Sequence, residues 1–354
     1  MNERPENAAG AEGVDRREFL GQAGLAGATV LAGAVAWSAP IELSDTGPDR
    51  IPKKSFGKTK EKLSIIGLGG YTLGQAPSYE EAERIALEAV DAGVTFFDNA
   101  WDYHQGKSEE WMGKALQGRR DKVFLMTKVC THGRDKTVAM KQLEESLKRL
   151  RTDHLDLWQV HEVIYYNDPE LAYAKGGVLE ALDEAKRQGK IRFVGFTGHK
   201  DPAIHLDMLS RGYPFDTVQM PLNCFDATYR SFEQRVLPEV INRGMAALGM
   251  KSMGGGGEPL LHGAVTPAEA LSYALSLPVA VTISGIDALS VLRQNLAVAR
   301  GFTPLTAQQM HALRDRCAPV AADGHLELYK STMKYDGNVG REQHGYPPTK
   351  ALPL

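Results

Sequence analysis

The sequence has little cysteine and no concentrated positive charge. Its 354 residues include three cysteines, Cys130, Cys224 and Cys317, which are far apart and form no CxxC pair. A disulfide framework or an iron–sulfur cluster is therefore not expected. The formal net charge is −3 and no block rich in lysine and arginine occurs, so the sequence does not predict a nucleic-acid partner.

The N-terminal apolar segment is too short for an ordinary membrane span. Residues 25–37 are 13 residues without a charge, whereas a spanning helix needs about 20. Arg16-Arg17 precedes the segment and Ala34-Val35-Ala36 has the small residues of a cleavage site. Residues 1–40 resemble a twin-arginine export signal, so we expect recognition by the twin-arginine machinery and a periplasmic protein. A disordered tail on a cytoplasmic protein, and an uncleaved signal that contacts the membrane, are the alternatives.

A repeating pattern begins after a polar linker at 41–52. Short apolar runs occur at 63–68, 94–97, 123–127, 155–160, 191–196, 217–220, 245–250 and 279–283. Amphipathic stretches with helical spacing lie at 79–92, 108–117, 137–150, 177–188, 202–210, 231–243, 267–277 and 289–300. Strands that alternate with helices predict a parallel sheet. No GxGxxG motif follows the first run, which argues against a dinucleotide-binding open sheet.

Eight such units favour an α/β fold of the (β/α)8 TIM-barrel type over residues 53–301. Residues 50–62 are expected to form an N-terminal β-hairpin that closes the bottom of the barrel. Residues 302–320 predict one more helix. The tail from 321 to 354 is rich in glycine, proline and polar residues and is expected to be irregular.

Polar residues follow several apolar runs, where a barrel of this type places its catalytic groups. Asp98, Lys128 and His161 end the second, third and fourth runs, and Tyr103 lies in the loop after the second. Carbonyl reduction requires a proton donor for the developing alkoxide. A lysine beside a tyrosine would lower the pKa of the phenol, and a carboxylate would hold the lysine charged. His161 could hydrogen-bond the substrate oxygen. The hydride must come from a nicotinamide.

The same stretches resemble the aldo-keto reductase family. Residues 97–103 read FDNAWDY and are followed by Ser108-Glu109 and by GKAL at 113–116; LMTKV at 125–129 and LDLWQVH at 155–161 complete the likeness. The resemblance covers about residues 50–300. It implies an NAD(P)H-dependent oxidoreductase that reduces an aldehyde or ketone, with a tetrad made of Asp98, Tyr103, Lys128 and His161.

The resemblance also implies contacts to an extended nicotinamide cofactor across the barrel mouth. By position these contacts fall on Gly69, Thr197, Gln219, Met250, Lys251, Ser284, Asp287, Gln294 and Asn295. Two positions depart from the family pattern, because Gly198 stands where an asparagine side chain is usual and Met250 where an aromatic ring is usual. Asp287 stands where a basic residue commonly pairs with a 2′-phosphate. A carboxylate repels that phosphate, so we favour NAD(H), although Arg293 nearby could compensate.

Two other functions fit the sequence. Asp98, His104, His132, His161, Glu162 and His199 could form a metal site of a TIM-barrel hydrolase or isomerase, but Lys128 would then be an uncompensated charge. Our prediction is no resident metal. Alternatively, the protein could bind a nicotinamide cofactor and act as a sensor or partner subunit with little turnover. The sequence does not specify which small-molecule carbonyl compound is the substrate, nor the oligomeric state.

Overall fold

A short antiparallel hairpin begins the described fold. The computed structural model describes residues 41–351 apart from 334, 344 and 345, so the predicted twin-arginine segment lies outside the described residues. The chain divides into Met1–Val35 and Ala36–Leu354, and every described residue belongs to the second unit. Strands β1 (Lys53–Ser55) and β2 (Lys62–Ser64) pair as the predicted hairpin.

Eight parallel strands close into a barrel, which confirms the predicted fold class. They are β3 (Ile66–Gly69), β4 (Phe96–Asp98), β5 (Phe124–Val129), β6 (Leu155–Val160), β7 (Ile191–Thr197), β8 (Thr217–Pro221), β9 (Ala246–Met250) and β10 (Val281–Gly285). Each strand pairs with the next, and β10 pairs with both β9 and β3. All carboxyl ends therefore meet at one mouth.

Helices connect the barrel strands, and further helices follow the last strand. They are α1 (Gly70–Leu73), α2 (Tyr79–Asp91), α3 (Lys107–Ala115), α4 (Lys136–Leu150), α5 (Asp168–Tyr173), α6 (Val178–Arg187), α7 (Pro202–Ser210), α8 (Phe232–Arg235), α9 (Leu237–Asn242), α10 (Pro267–Leu275), α11 (Leu289–Arg300), α12 (Ala307–Ala321), α13 (Leu328–Ser331) and α14 (Asn338–Gln343). Turns of 3-10 helix lie at Tyr103–Gly106, Arg120–Lys122, Glu258–His262 and Thr349–Ala351. Within the described ranges, no helix combines the length and apolarity that a membrane crossing requires.

The hairpin seals the lower end of the barrel by joining its inner apolar core. Phe56 and Leu63 are buried together with barrel side chains that include Phe124 and Leu248. The rings of Phe56 and Phe124 lie 4.9 Å apart between their centres. A second and larger core fills the layer between strands and helices. The lower half of the barrel is thus packed, and the polar side chains are left to the mouth.

Two predicted elements are divided in the structure. The run at 63–68 is not one strand, because Leu63 pairs with Lys54 in the hairpin while Ile66 begins the barrel strand β3. The helix predicted at 231–243 is two helices, α8 and α9. Pro238 lies in the first turn of α9 and has no backbone N–H for a continuous helix.

The C-terminal predictions were wrong in part. The helix expected at 302–320 begins only at Ala307, because Thr306 and Gln309 form a reciprocal capping box that fixes its start. The tail expected to be irregular contains α13 and α14. It is ordered by Lys330, which is buried and donates to Asp226 Oδ1 at 2.7 Å and to Glu327 Oε2 at 3.0 Å. The two carboxylates and the backbone oxygen of Tyr229 surround the buried ammonium, so it is not an unpaired charge.

Candidate active site

Three neighbouring strands bring the predicted tetrad to the barrel mouth. Asp98 is the last residue of β4, Lys128 is the penultimate residue of β5, and His161 directly follows β6. Tyr103 begins the 3-10 turn after β4. Because β4, β5 and β6 are consecutive in the barrel, the four side chains face one another across two strand spacings.

Lys128 is the centre of this group. Its side chain is only 1% exposed, and its ammonium contacts the carboxylate of Asp98. Nζ also donates to the backbone oxygen of Asn99 at 2.7 Å and to the hydroxyl oxygen of Tyr103 at 3.2 Å. All three ammonium donors therefore have acceptors, which makes burial of the charge tolerable. Burial raises the pKa of Asp98, and the neighbouring Lys128 acts in the opposite direction.

Tyr103 is held on a strained turn. His104 and Gln105, which follow it, have φ values of 52° and 59° in the left-handed region, where residues other than glycine are uncommon. The Tyr103 ring packs edge-on against Tyr71 at 5.3 Å and against His161 at 5.6 Å. These contacts fix the hydroxyl group beside the Lys128 ammonium.

The acidity of Tyr103 differs from the expectation. Burial raises the pKa of Tyr103 well above its usual value, and the carboxyls of Asp98 and Asp102 raise it further. The net direction is therefore upward rather than the expected downward one, because burial and the neighbouring carboxyl groups outweigh any lowering by the Lys128 ammonium, which lies 3.2 Å from the hydroxyl group. The phenol thus holds its proton firmly in this structure.

Asp102 is a site residue that the strand-end reasoning missed. Its Oδ1 lies 3.0 Å from Nδ1 of His161. Burial acts to raise the pKa of Asp102, but the charge and hydrogen bond of His161 outweigh it, and the net direction is down. Asp102 lies four residues after the strand end, so only the conformation of the loop brings it to the histidine.

Glu162 adds another carboxyl group at the mouth. It has a positive φ of 47°, and burial raises its pKa to about 7. Its Oε2 accepts a hydrogen bond of 3.1 Å from the backbone N–H of Gly337. The C-terminal segment is thereby tied to the residue that follows His161.

A cavity of about 990 Å³ opens over these side chains. Its wall includes all four tetrad residues and every predicted cofactor position: Gly69, Thr197, Gln219, Met250, Lys251, Ser284, Asp287, Gln294 and Asn295. The structure therefore brings the whole set of sequence-predicted site residues to one cavity. Tyr335, Asp336, Gly337 and Asn338 of the C-terminal segment also line it, and the sequence reasoning did not name them.

Near β10, the cavity wall allows a ligand to approach the backbone closely. A Cβ atom at Gly69 would lie 2.9 Å from the backbone oxygen of Ser284, so only glycine fits there. Asn295 donates to the Ser284 hydroxyl at 3.0 Å, which holds that hydroxyl in place. Asp287 is exposed at the rim. Arg293 forms two hydrogen bonds with Glu88, at 2.7 and 2.9 Å, and so does not neutralise Asp287.

Two residues that line the cavity, Gln219 and His199, each have a buried polar atom without a hydrogen-bond partner among the described residues. These atoms are Oε1 of Gln219 and Nε2 of His199. Lys251 has a positive φ of 57°, and its Nζ lies 5.3 and 5.0 Å from the ring centres of Tyr329 and Tyr335. Burial lowers the pKa of Lys251 to about 8.

Comparison with known proteins decides the family. A sequence profile of the Aldo/keto reductase family matches residues 65–269, which include the tetrad positions and most of the barrel. The chain belongs to the aldo/keto reductase family.

The related aldo/keto reductases include bacterial enzymes. The chain is 33% identical over 198 residues to the aldo-keto reductase YhdN of Bacillus subtilis, covering 52% of this chain and 56% of that protein. It is 35% identical over 131 residues to the methylglyoxal reductase YeaE of Escherichia coli, covering 37% and 44%. The chain thus spans about half the length of the curated relatives it matches.

Solved aldo/keto reductase structures share the fold. The holo form of AKR11C1 from Bacillus halodurans superposes with a TM-score of 0.65 at 24% identity, covering 78% of this chain and 99% of that one. The thermostable aldo-keto reductase Tm1743, in complex with the inhibitor epalrestat, gives a TM-score of 0.60 at 26% identity, covering 75% and 99%. Both support the (β/α)8 barrel seen here.

Proposed function

We propose that this aldo/keto reductase uses NAD(P)H to reduce the carbonyl group of a small aldehyde or ketone to an alcohol. The observation that carries the proposal is the buried Lys128 ammonium, which contacts Asp98 and lies 3.2 Å from the Tyr103 hydroxyl at the floor of the cavity. A metal-dependent hydrolase has little use for a fixed cation at this point, whereas a tyrosine that must release a proton does.

Tyr103 is the proton donor in this proposal. Its raised pKa keeps the proton on Oη until negative charge develops on the substrate oxygen. An alkoxide is a much stronger base than a phenolate, so the proton then moves to the substrate. The phenolate left behind lies beside the Lys128 ammonium, whose charge stabilises it.

Asp98 and His161 are assigned supporting roles. Asp98 binds the Lys128 amino group and holds it beside Tyr103. The ring of His161 meets Tyr103 edge-on, so both side chains can contact one carbonyl oxygen and orient it. Such an arrangement lowers the barrier by stabilising the developing oxyanion.

The chain also has a wall that fits a nicotinamide dinucleotide. When bound, NAD(P)H would supply the hydride. Gln219 and His199 offer buried, unsatisfied polar atoms within the described part of the wall, suited to a carboxamide. Gly69 lets a ligand approach the backbone closely. We propose NAD(H) as the preferred form, because exposed Asp287 would repel a 2′-phosphate and Arg293 is engaged by Glu88.

The test is a coenzyme titration followed by turnover. NADH and NADPH are titrated into purified protein with fluorescence as the readout, and coenzyme oxidation is then followed with a panel of aldehydes and ketones. Saturable binding with turnover supports the proposal. Binding without turnover on any carbonyl compound would instead favour a sensor or partner subunit, and no binding of either coenzyme would overturn the reductase assignment.

A further inference from the structure

Three metal-ligating side chains meet around the tetrad residue His161. One oxygen of Asp102, the sulfur of Cys130 and one ring nitrogen of His161 all lie within 4.8 Å of one another. They come from the carboxyl ends of three consecutive strands, since Cys130 directly follows β5 and His161 directly follows β6. The proposed reduction uses His161 and its partner Asp102 but gives Cys130 no role, so it does not explain why a thiol lies beside them.

The position of Cys130 is fixed from both sides. Its backbone N–H donates to Gln142 Oε1 at 2.8 Å, and Gln142 Nε2 donates back to its carbonyl oxygen at 3.1 Å. Gln343 of the C-terminal segment donates to the same carbonyl oxygen at 3.3 Å. Supporting hydrogen bonds of this kind hold ligand side chains in a pre-organised geometry.

A fourth donor lies next to the cluster. His132 Nε2 is 3.5 Å from Cys130 Sγ and 3.6 Å from Glu162 Oε2. Two imidazoles, a thiol and a carboxylate are the ligand types that tetrahedral zinc sites use. Hard cations such as Mg²⁺ prefer sites made of oxygen alone.

The charge balance and the accessibility of this cluster are compatible with the binding of a cation. The side chains of Asp102 and His161 are 15% and 8% exposed and line the cavity, whereas Cys130 is fully buried. An ion would therefore reach the thiol by passing Asp102 and His161. Lys128 is already neutralised by Asp98. A carboxylate and a thiolate would balance a divalent ion, which a buried site requires.

We propose that Asp102, Cys130 and His161 form a binding site for a thiophilic divalent cation of the zinc class, with His132 or water as the fourth ligand. Binding releases the thiol proton of Cys130 and the Nδ1 proton of His161 to solvent, and bonds from sulfur, nitrogen and oxygen to the ion replace them. Zn–S and Zn–N bonds of about 2.3 and 2.0 Å require the side chains to close in slightly around the ion.

The experiment titrates Co²⁺ into full-chain protein that has been treated with a chelator and carries no polyhistidine tag. A thiolate ligand gives Co²⁺ a near-ultraviolet charge-transfer band. We expect this band to saturate at one equivalent and to vanish when Zn²⁺ is added. Mg²⁺ should leave it unchanged. These readouts require no turnover, so they remain informative whether or not the protein reduces carbonyl compounds.

Matched variants locate the site. Cys130→Ser should abolish the band and weaken Zn²⁺ binding by about tenfold or more, as measured by competition with a chromophoric chelator. Cys224→Ser changes another buried cysteine outside the cluster and should behave like the wild type. If Cys130→Ser does not fold, Asp102→Asn provides the second test, with the band retained and the affinity reduced. A wild type without the band, or a band that persists in folded Cys130→Ser, would overturn the proposal.

Discussion

Nδ1 of His161 lies 3.0 Å from Oδ1 of Asp102, and both side chains are largely buried at the barrel mouth. A carboxylate can only accept hydrogen bonds, so Nδ1 of His161 must carry the shared proton. Nε2 then remains as the ring atom available to a substrate oxygen. It can donate a hydrogen bond to that oxygen only when both ring nitrogens carry a proton.

Replacement of Asp102 by asparagine should therefore slow catalysis. The variant replaces a carboxylate acceptor with a neutral amide oxygen and so weakens this hydrogen bond. Because hydrogen bonds to charged groups are worth about 1.5–3 kcal/mol, we expect a kcat/KM that is lower by up to roughly 10- to 100-fold. Because the interaction strengthens as the oxyanion develops, we expect the loss mainly in kcat. Glu145→Gln is the control, since Glu145 binds the indole of Trp101 nearby but does not line the cavity. Equal activities of wild type and Asp102→Asn would remove Asp102 from the mechanism.

A buried carboxyl group away from the cavity should make stability depend on pH. Glu233 is 3% exposed and accepts a hydrogen bond of 2.6 Å from the Tyr273 hydroxyl. Burial raises the pKa of Glu233 to about 7. Between about pH 4.5 and 7 the folded chain therefore keeps a proton that the unfolded chain has released, so this group's contribution to stability falls as pH rises.

Glu233→Gln isolates that contribution because glutamine cannot ionise. The free energy of unfolding of Glu233→Gln, taken relative to that of the wild type, should rise by about 1–3 kcal/mol when the pH is raised from 4.5 to 7.5. Denaturant unfolding of both proteins at the two pH values measures the change. The raised pKa of Glu233 would be contradicted by a difference in unfolding free energy that stays constant with pH. A difference that moves in favour of the wild type as pH rises would contradict it as well.

The sequence was sufficient to place three of the four tetrad residues because strand order determines where they lie. Asp98, Lys128 and His161 end consecutive parallel strands, and such ends must converge at the mouth. Asp102 was missed because it lies in the loop after β4, four residues beyond the strand end, and the conformation of that loop brings it to His161. No periodic pattern in the sequence specifies that conformation.

The individual tail residues that line the mouth were not predicted either, for a different reason. Asp336 lines the cavity and binds Lys200 at 2.6 Å. Gly337 donates to Glu162, 175 residues earlier in the chain. Contacts between such distant positions depend on the whole barrel being formed, and short polar segments carry no hydrophobic pattern that could predict them. The raised pKa of Tyr103 was unpredictable likewise, since burial and the neighbouring carboxyls decide it.

The coenzyme preference should respond to Asp287. We expect wild type to bind NADH more tightly than NADPH, and Asp287→Arg to shift the ratio toward NADPH by about tenfold, because the guanidinium can pair with the 2′-phosphate. Asp287→Asn removes the charge without adding a cation and should give an intermediate ratio. Fluorescence titration of both coenzymes with the three proteins measures this. A strong NADPH preference in the wild type would refute the assignment to NAD(H).

Export is proposed from the arginine pair at the N-terminus. We expect replacement of Arg16 and Arg17 by lysine to retain the protein in the cytoplasm, because the twin-arginine pathway reads both side chains. Cell fractionation with immunoblotting in a bacterial host that has the pathway measures the distribution. Wild type in a strain without the translocase is the control and should also be retained. Equal distribution of wild type and the lysine variant would argue against this route.

The most direct test of the account compares Tyr103→Phe with Tyr71→Phe. Both tyrosines line the cavity, and their ring centres lie 5.3 Å apart. Of the two, Tyr103 is the one that accepts a hydrogen bond from Lys128. We predict that Tyr103→Phe binds coenzyme like the wild type while kcat for carbonyl reduction falls by about 100-fold or more. Tyr71→Phe should keep most of its activity. Turnover that survives in Tyr103→Phe with a folded, coenzyme-binding protein would contradict the assignment of Tyr103 as the proton donor.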